Sequence, residues 1–156
     1  MSLQRRGEDW YSDSAADLKA LLERHGETGD PIEAVTEVAC DCGSRVFSTQ
    51  TDDDYQEVAL FCRACGAQYL FHTERIEGYY EGNPNAESEC VNCPCTERGG
   101  SFFELAVGVT LYDNRDVDWA FVVCRCVACG RTGYLAEWHR IEYPYAELFA
   151  HLSNKL

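Results

Sequence analysis

The chain has 156 residues, enough for one ordinary domain or two small ones, and 46% of them are hydrophobic, which argues against a disordered or low-complexity chain. A formal net charge of −14 disfavours partners held by phosphate contacts, because nucleic-acid affinity rests chiefly on Lys and Arg displacing counterions. Ten cysteines is far above ordinary usage, and no run approaches the roughly 18 apolar residues that span a bilayer.

Met1 to Asp13 is polar and carries Arg5, Arg6, Glu8 and Asp9, unlike a secretory leader. The expected compartment is therefore the reducing cytoplasm, where clustered cysteines are metal ligands rather than disulfides. Ala15 to His25 reads as a short helix, with Ser14 and Asp17 as a variant capping box and Gly26 as its left-handed stop. Leu18, Leu21 and Leu22 share one face with the side of His25, so this helix packs on a neighbouring module. Its polar face lacks the Lys/Arg excess of a membrane-surface helix.

Glu27 to Pro31 is a loop, and Ile32 to Ala39 is β-prone and leads into Cys40. Ser44 to Thr51 and Tyr55 to Phe61 are strands joined across Asp52-Asp53-Asp54, with Gln68 to His72 as a third strand. The three adjacent carboxylates lack the spacing and central Gly of a calcium loop and read as a solvated turn. Gly78 to Ala86 combines Gly, Pro and Asn and is the linker. Beyond it, Ser101 to Leu111 and Val117 to Cys124 form a longer hairpin across Asp113 to Asp116, and Tyr134-Leu135-Ala136 resumes the sheet. Pro144 to Leu152 places Tyr145, Leu148, Phe149 and Leu152 at helical spacing behind an N-terminal Pro, which predicts a C-terminal helix.

The second half repeats the first. Cys62-Arg63-Ala64-Cys65-Gly66 recurs as Cys126-Val127-Ala128-Cys129-Gly130, and each has an upstream pair, Cys40 with Cys42 and Cys93 with Cys95. Tyr69-Leu70 matches Tyr134-Leu135, and Arg75-Ile76-Glu77 matches Arg140-Ile141-Glu142, so an internal duplication is the economical explanation. Four thiolates satisfy a tetrahedral ion only if two chain segments each bring two sulfurs to one point, and a hairpin does this directly. In each Cys-x-x-Cys-Gly turn, backbone N–H groups point at sulfur and the Gly takes a positive φ.

The arrangement resembles the zinc-ribbon superfamily over residues 36 to 143: cysteine turn, hairpin, second cysteine turn, third strand. The resemblance implies a small, mainly β, metal-stabilised fold. It consists of two tandem three-stranded ribbon modules flanked by short N- and C-terminal helices, divided as 1–34, 35–79, 80–88, 89–143 and 144–156. Two zinc ions are expected, one on Cys40, Cys42, Cys62 and Cys65, the other on Cys93, Cys95, Cys126 and Cys129. The upstream pairs are Cys-x-Cys where most ribbons and rubredoxins have Cys-x-x-Cys, which weakens the case for iron in a rubredoxin-like site. Cys90 and Cys124 have no counterpart in the first half, where Glu37 and Leu60 stand at the aligned places. They could supply an alternative Cys90-x-x-Cys93 pair, a two-metal cluster or a disulfide; the duplication favours leaving both free. His72 aligns with Glu137 and His139 with Glu74, so neither repeats as a ligand, and His25 and His151 belong to helix faces.

Two full four-thiolate shells leave no open metal position, and no nucleophile-base pair is apparent, so an enzyme is disfavoured. Thiol redox or metal-responsive chemistry by Cys90, Cys124 or a knuckle is one alternative. A nucleic-acid-binding ribbon is another, with Phe102, Phe103, Tyr112 and Trp119 as stacking candidates beside Arg98, Arg115, Arg125 and Arg131. The favoured reading is a non-catalytic protein-binding module whose zinc ions replace a large core. Its acidity serves solubility or favours a basic protein partner, as in inhibitors or immunity proteins of nucleases, chaperones or regulators that mimic nucleic acid.

Overall fold

A computed structural model describes residues 3–7, 9–26, 31–51, 57–72, 89–90, 93–95, 101–139 and 153–155. The Asp52-Asp53-Asp54 turn, the Gly78 to Ala86 linker, Arg75-Ile76-Glu77, Arg140-Ile141-Glu142 and the predicted helix at Pro144 to Leu152 lie outside them. Strands β1 (Gln4–Arg6) and β2 (Asp9–Tyr11) form a small hairpin, followed by helix α1 (Asp17–Gly26). Then come β3 (Ala34–Glu37), β4 (Phe47–Thr51), β5 (Glu57–Cys62), β6 (Gln68–His72), β7 (Glu89–Cys90), β8 (Phe103–Leu111), β9 (Val117–Cys126), β10 (Thr132–His139) and β11 (Ser153–Lys155). The fold is mainly β with one short helix among the described residues. No described helix is long and apolar enough to cross a membrane.

Helix α1 forms where the leucine spacing predicts. Leu18, Leu21 and Leu22 are buried with Ala106, Phe121 and Val123 on one face of β8 and β9. Gly108 leaves the room that Leu22 fills, since a Cβ there would come within 2.8 Å of Leu22 Cδ1. The helix start differs from the Ser14 capping box. Ser12 Oγ donates to Asp17 Oδ2 at 2.8 Å and accepts the Ser14 N–H at 3.1 Å, so a turn held by the Ser12 side chain leads into a helix that begins at Asp17.

Strands β3 to β11 make one antiparallel sheet in the order β10-β9-β8-β4-β5-β6-β11, with β3 added to β8 and β7 added to β4. The two hairpins therefore do not stand apart as beads on a linker. They join where Phe47 pairs with Phe103, and these are equivalent residues: Phe47 faces Cys62 across its hairpin as Phe103 faces Cys126. Antiparallel pairing of equivalent residues gives the contact a local two-fold relation.

The strand preceding each cysteine pair then crosses to the other hairpin. Glu37 of β3 pairs with Ala106 of β8, while Cys90 of β7 pairs with Gln50 of β4. Gln50 and Ala106 each lie three residues beyond the facing Phe, and Glu37 and Cys90 each lie three residues before a cysteine pair, so the exchange is reciprocal. Its result is a shared interior. One buried cluster contains Val58, Leu60 and Tyr69 from the first repeat with Leu105, Val107, Val122 and Trp138 from the second. Five cysteines, Cys40, Cys62, Cys93, Cys124 and Cys126, belong to it.

At the end of the chain, β11 pairs with β6, Lys155 opposite Tyr69 and Ser153 opposite Phe71. The predicted C-terminal helical segment thus runs into a strand at 153–155, where edge pairing supplies the hydrogen bonds.

Candidate metal centres

Each cysteine group sits at the open end of a hairpin. In the first, Cys62 ends β5 and turns through Cys65 to Gly66, whose φ is 76° and whose N–H reaches the Cys62 carbonyl at 2.9 Å. The second repeats this at Gly130, with φ 82° and a 2.8 Å bond to the Cys126 carbonyl. Glycine takes that left-handed backbone without the Cβ clash other residues suffer. Each turn is tied to the first strand of its own hairpin, Arg63 N–H to the Val46 carbonyl at 3.0 Å and Val127 N–H to the Phe102 carbonyl at 3.1 Å.

The sulfurs of Cys40, Cys42, Cys62 and Cys65 lie within 4.8 Å of one another, as do those of Cys93, Cys95, Cys126 and Cys129. Within the first group, Cys40–Cys65 and Cys42–Cys62 stand at 3.5 and 3.6 Å; in the second, Cys93–Cys129 and Cys95–Cys126 stand at the same 3.5 and 3.6 Å. A disulfide needs about 2.05 Å. Zn–S bonds of about 2.3 Å in a regular tetrahedron set S···S edges of about 3.8 Å, so the donor sets fit a tetrahedral thiophilic ion. The same sulfurs would hold iron, and the geometry alone does not separate the two.

The electrostatics divide each group into thiols whose ionisation is favoured and thiols whose ionisation is opposed. At Cys62 the N–H groups of Cys65 and Ala64 lower the thiol to about 6 against the effect of burial. Cys40 is lowered first by the Tyr69 hydroxyl, 3.3 Å from its sulfur, and then by the Cys42 N–H. At Cys126 burial opposes ionisation, but the Cys129 and Ala128 N–H groups and the neighbouring sulfurs bring the thiol down. Cys65 receives the Ala67 N–H, yet the adjacent Cys40 sulfur, burial and the other two thiols hold it up at about 12. Cys95 is pushed up by the Cys129 and Cys93 sulfurs. Four close sulfurs cannot all ionise alone; a bound dication removes that penalty and releases their protons.

The repeats diverge behind the sulfurs. Tyr69 faces Leu60 across β5 and β6, and its hydroxyl accepts the Asp41 N–H at 3.1 Å beside Cys40. The position that register makes equivalent in the second repeat is Gly133, facing Cys124. Tyr134 is therefore not the structural counterpart of Tyr69: a bulge between Tyr134 and Ala136 absorbs the extra residue one step later than the sequence match implies. The backbone partners differ too: the Cys93 N–H donates to Ser101 Oγ at 2.7 Å, whereas its counterpart, the Cys40 N–H, donates to the Ser44 carbonyl at 2.8 Å.

Cys124 is free and buried, and burial raises its thiol to about 12. It does not reach Cys90. Cys124 pairs with Leu105 and Cys90 with Gln50, on opposite sides of the Phe47–Phe103 pair and about five residue steps apart, or about 16 Å at strand rise. A Cys90–Cys124 disulfide is excluded by that separation. Both four-sulfur groups consist of the cysteines that the duplication singles out.

Comparison of the chain with protein-family models, with curated proteins and with solved structures finds no match.

Proposed function

We propose that the protein is a non-catalytic binding module that carries two structural zinc ions and engages a basic protein partner in the cytoplasm. The observation that carries the structural part is the pair of four-sulfur groups at tetrahedral spacing, each anchored by two buried cysteines to one shared core. Four protein ligands leave no position for substrate or water, which supports a structural ion. When bound, the ion neutralises thiolate charge and ties both ends of a hairpin together; in small zinc modules such binding contributes on the order of 10 kcal/mol to folding.

The partner is read from charge. The net −14 becomes about −18 with eight thiolates and two dications, a field that attracts a basic surface at long range. Several of the residues that could contact nucleic acid are, among the described residues, otherwise engaged. Arg125 pairs with Glu104 at 2.8 Å and Arg131 with Asp9 at 3.2 Å. Phe103 is buried, Trp119 stacks on Phe121 at 5.7 Å, and Arg63 lies over the Phe102 ring at 4.6 Å.

Elemental mass spectrometry of anaerobically purified protein tests the metal reading and is expected to give two zinc ions per chain. Iron or no metal would overturn it. Capture of basic proteins that is lost as salt rises supports the partner reading, whereas retention on single-stranded nucleic acid at physiological salt would replace it.

A further inference from the structure

The two centres share ligand geometry but not their surroundings. Residues 9–12 strap the second knuckle. Ser12 N–H donates to the Gly130 carbonyl at 2.8 Å, Arg125 Nε donates to the Ser12 carbonyl at 2.9 Å, and Thr132 Oγ1 donates to the Trp10 carbonyl at 2.8 Å. The Asp9–Arg131 ion pair closes the same contact. Approach is so tight that a Cβ at Gly130 would collide with the Ser12 carbonyl oxygen. At Gly66, by contrast, a Cβ would meet nothing within 4 Å among the described residues. The ligands follow suit: Cys42 and Cys65 are both exposed, while in the second centre Cys129 is half-buried and only Cys95 is exposed.

We propose that the first centre is an exchangeable metal site, able to pass its ion to a thiol-bearing acceptor, while the N-terminal strap locks the second. This rests on the reading that both groups hold metal. Cys40 and Cys62, buried and supported by the Tyr69 hydroxyl and the knuckle N–H groups, form the inner edge of the first centre. Cys65 and Cys42 form its outer edge and are the ligands that depart. An incoming thiol forms a new metal–sulfur bond and gives up its proton, and the departing Cys65 sulfur takes one up. No electron changes hands. In the second centre the same displacement requires the knuckle to move against Ser12, Arg125 and Arg131.

The test uses the full chain loaded with two zinc ions, challenged with excess chromogenic chelator in the presence of N-ethylmaleimide, with modified cysteines mapped by mass spectrometry. Release is expected in two phases of one equivalent each, separated by at least about tenfold, the scale on which contacts beyond the ligands alter metal sites. Cys42 and Cys65 are labelled in the first phase, Cys95 and Cys129 in the second. Gly130→Ala and Gly66→Ala impose similar backbone strain, but only the former also displaces the strap. Gly130→Ala should therefore accelerate the slow phase more than Gly66→Ala accelerates the fast one. Asp9→Asn, which loosens the strap without touching the knuckle, should accelerate the slow phase as well and serves if Gly130→Ala does not fold. One common phase, earlier labelling of Cys95 and Cys129, or no acceleration in the strap variants would overturn the proposal. Fewer than two equivalents before the challenge would instead overturn the metal reading and this inference with it.

Discussion

Cys62 is the thiol with the most favourable surroundings for ionisation, and its pH behaviour follows from sign. Its folded pKa of about 6 lies below the ordinary thiol range. The metal-free fold therefore gains from ionising Cys62 above that range and loses the gain as pH falls through about 6. Cys65, held up at about 12, acts oppositely: its support for the metal-free fold is lost as pH rises from the ordinary range toward 12. In metal-free protein, thiolate absorbance should show a first step near pH 6 that Cys62→Ser removes; a step retained at full amplitude would assign the acidic thiol elsewhere. The eight clustered cysteines were legible because each pair is local, two cysteines two or three positions apart, and the downstream pairs add a glycine that defines the turn. Tyr69 was not, because its hydroxyl meets Cys40 only through cross-strand register, and a one-residue bulge in the second repeat hides that Gly133 is its counterpart.

Among the elements, α1 was the most readable, since three leucines at i, i+3 and i+4 need only one apolar surface to cover. The Ser12 turn that leads into it escaped notice because Ser12 is also the strap residue, and tertiary contacts decide its conformation. Leu22 seats over Gly108, where the strand offers no side chain to collapse into a void. Leu22→Ala should accordingly cost about 2–5 kcal/mol in denaturant unfolding of the metal-loaded protein, with both zinc ions retained. A loss below about 1 kcal/mol would mean that α1 contributes little to this face. Strands β3 and β7 carry no local mark of their partners. Each is a short run just before a cysteine pair, and whether it joins its own hairpin or the other one depends on which edge is free.

For the molecule as a whole, that reciprocal exchange changes what the repeats are. The sequence reads as two small units in tandem, and the ligand groups match that reading, but the hydrogen bonds of each unit's leading strand belong to the other. Fragments 1–88 and 89–156 should therefore fail to fold separately with zinc and should assemble one-to-one when coexpressed, with two zinc ions in the complex. A fragment that folds alone around its own ion, by circular dichroism and metal content, would refute the interlock.

The exchange also sets an order during synthesis. All four cysteines of the first group have been synthesised once Cys65 is made, yet β3 pairs with a strand that follows roughly seventy residues later. Until β8 emerges, that centre can gather its sulfurs but cannot place its leading strand or close its core. The first four-sulfur group is thus complete while the chain is still open on one side, whereas the second is complete only when Cys129 has followed β8 and β9.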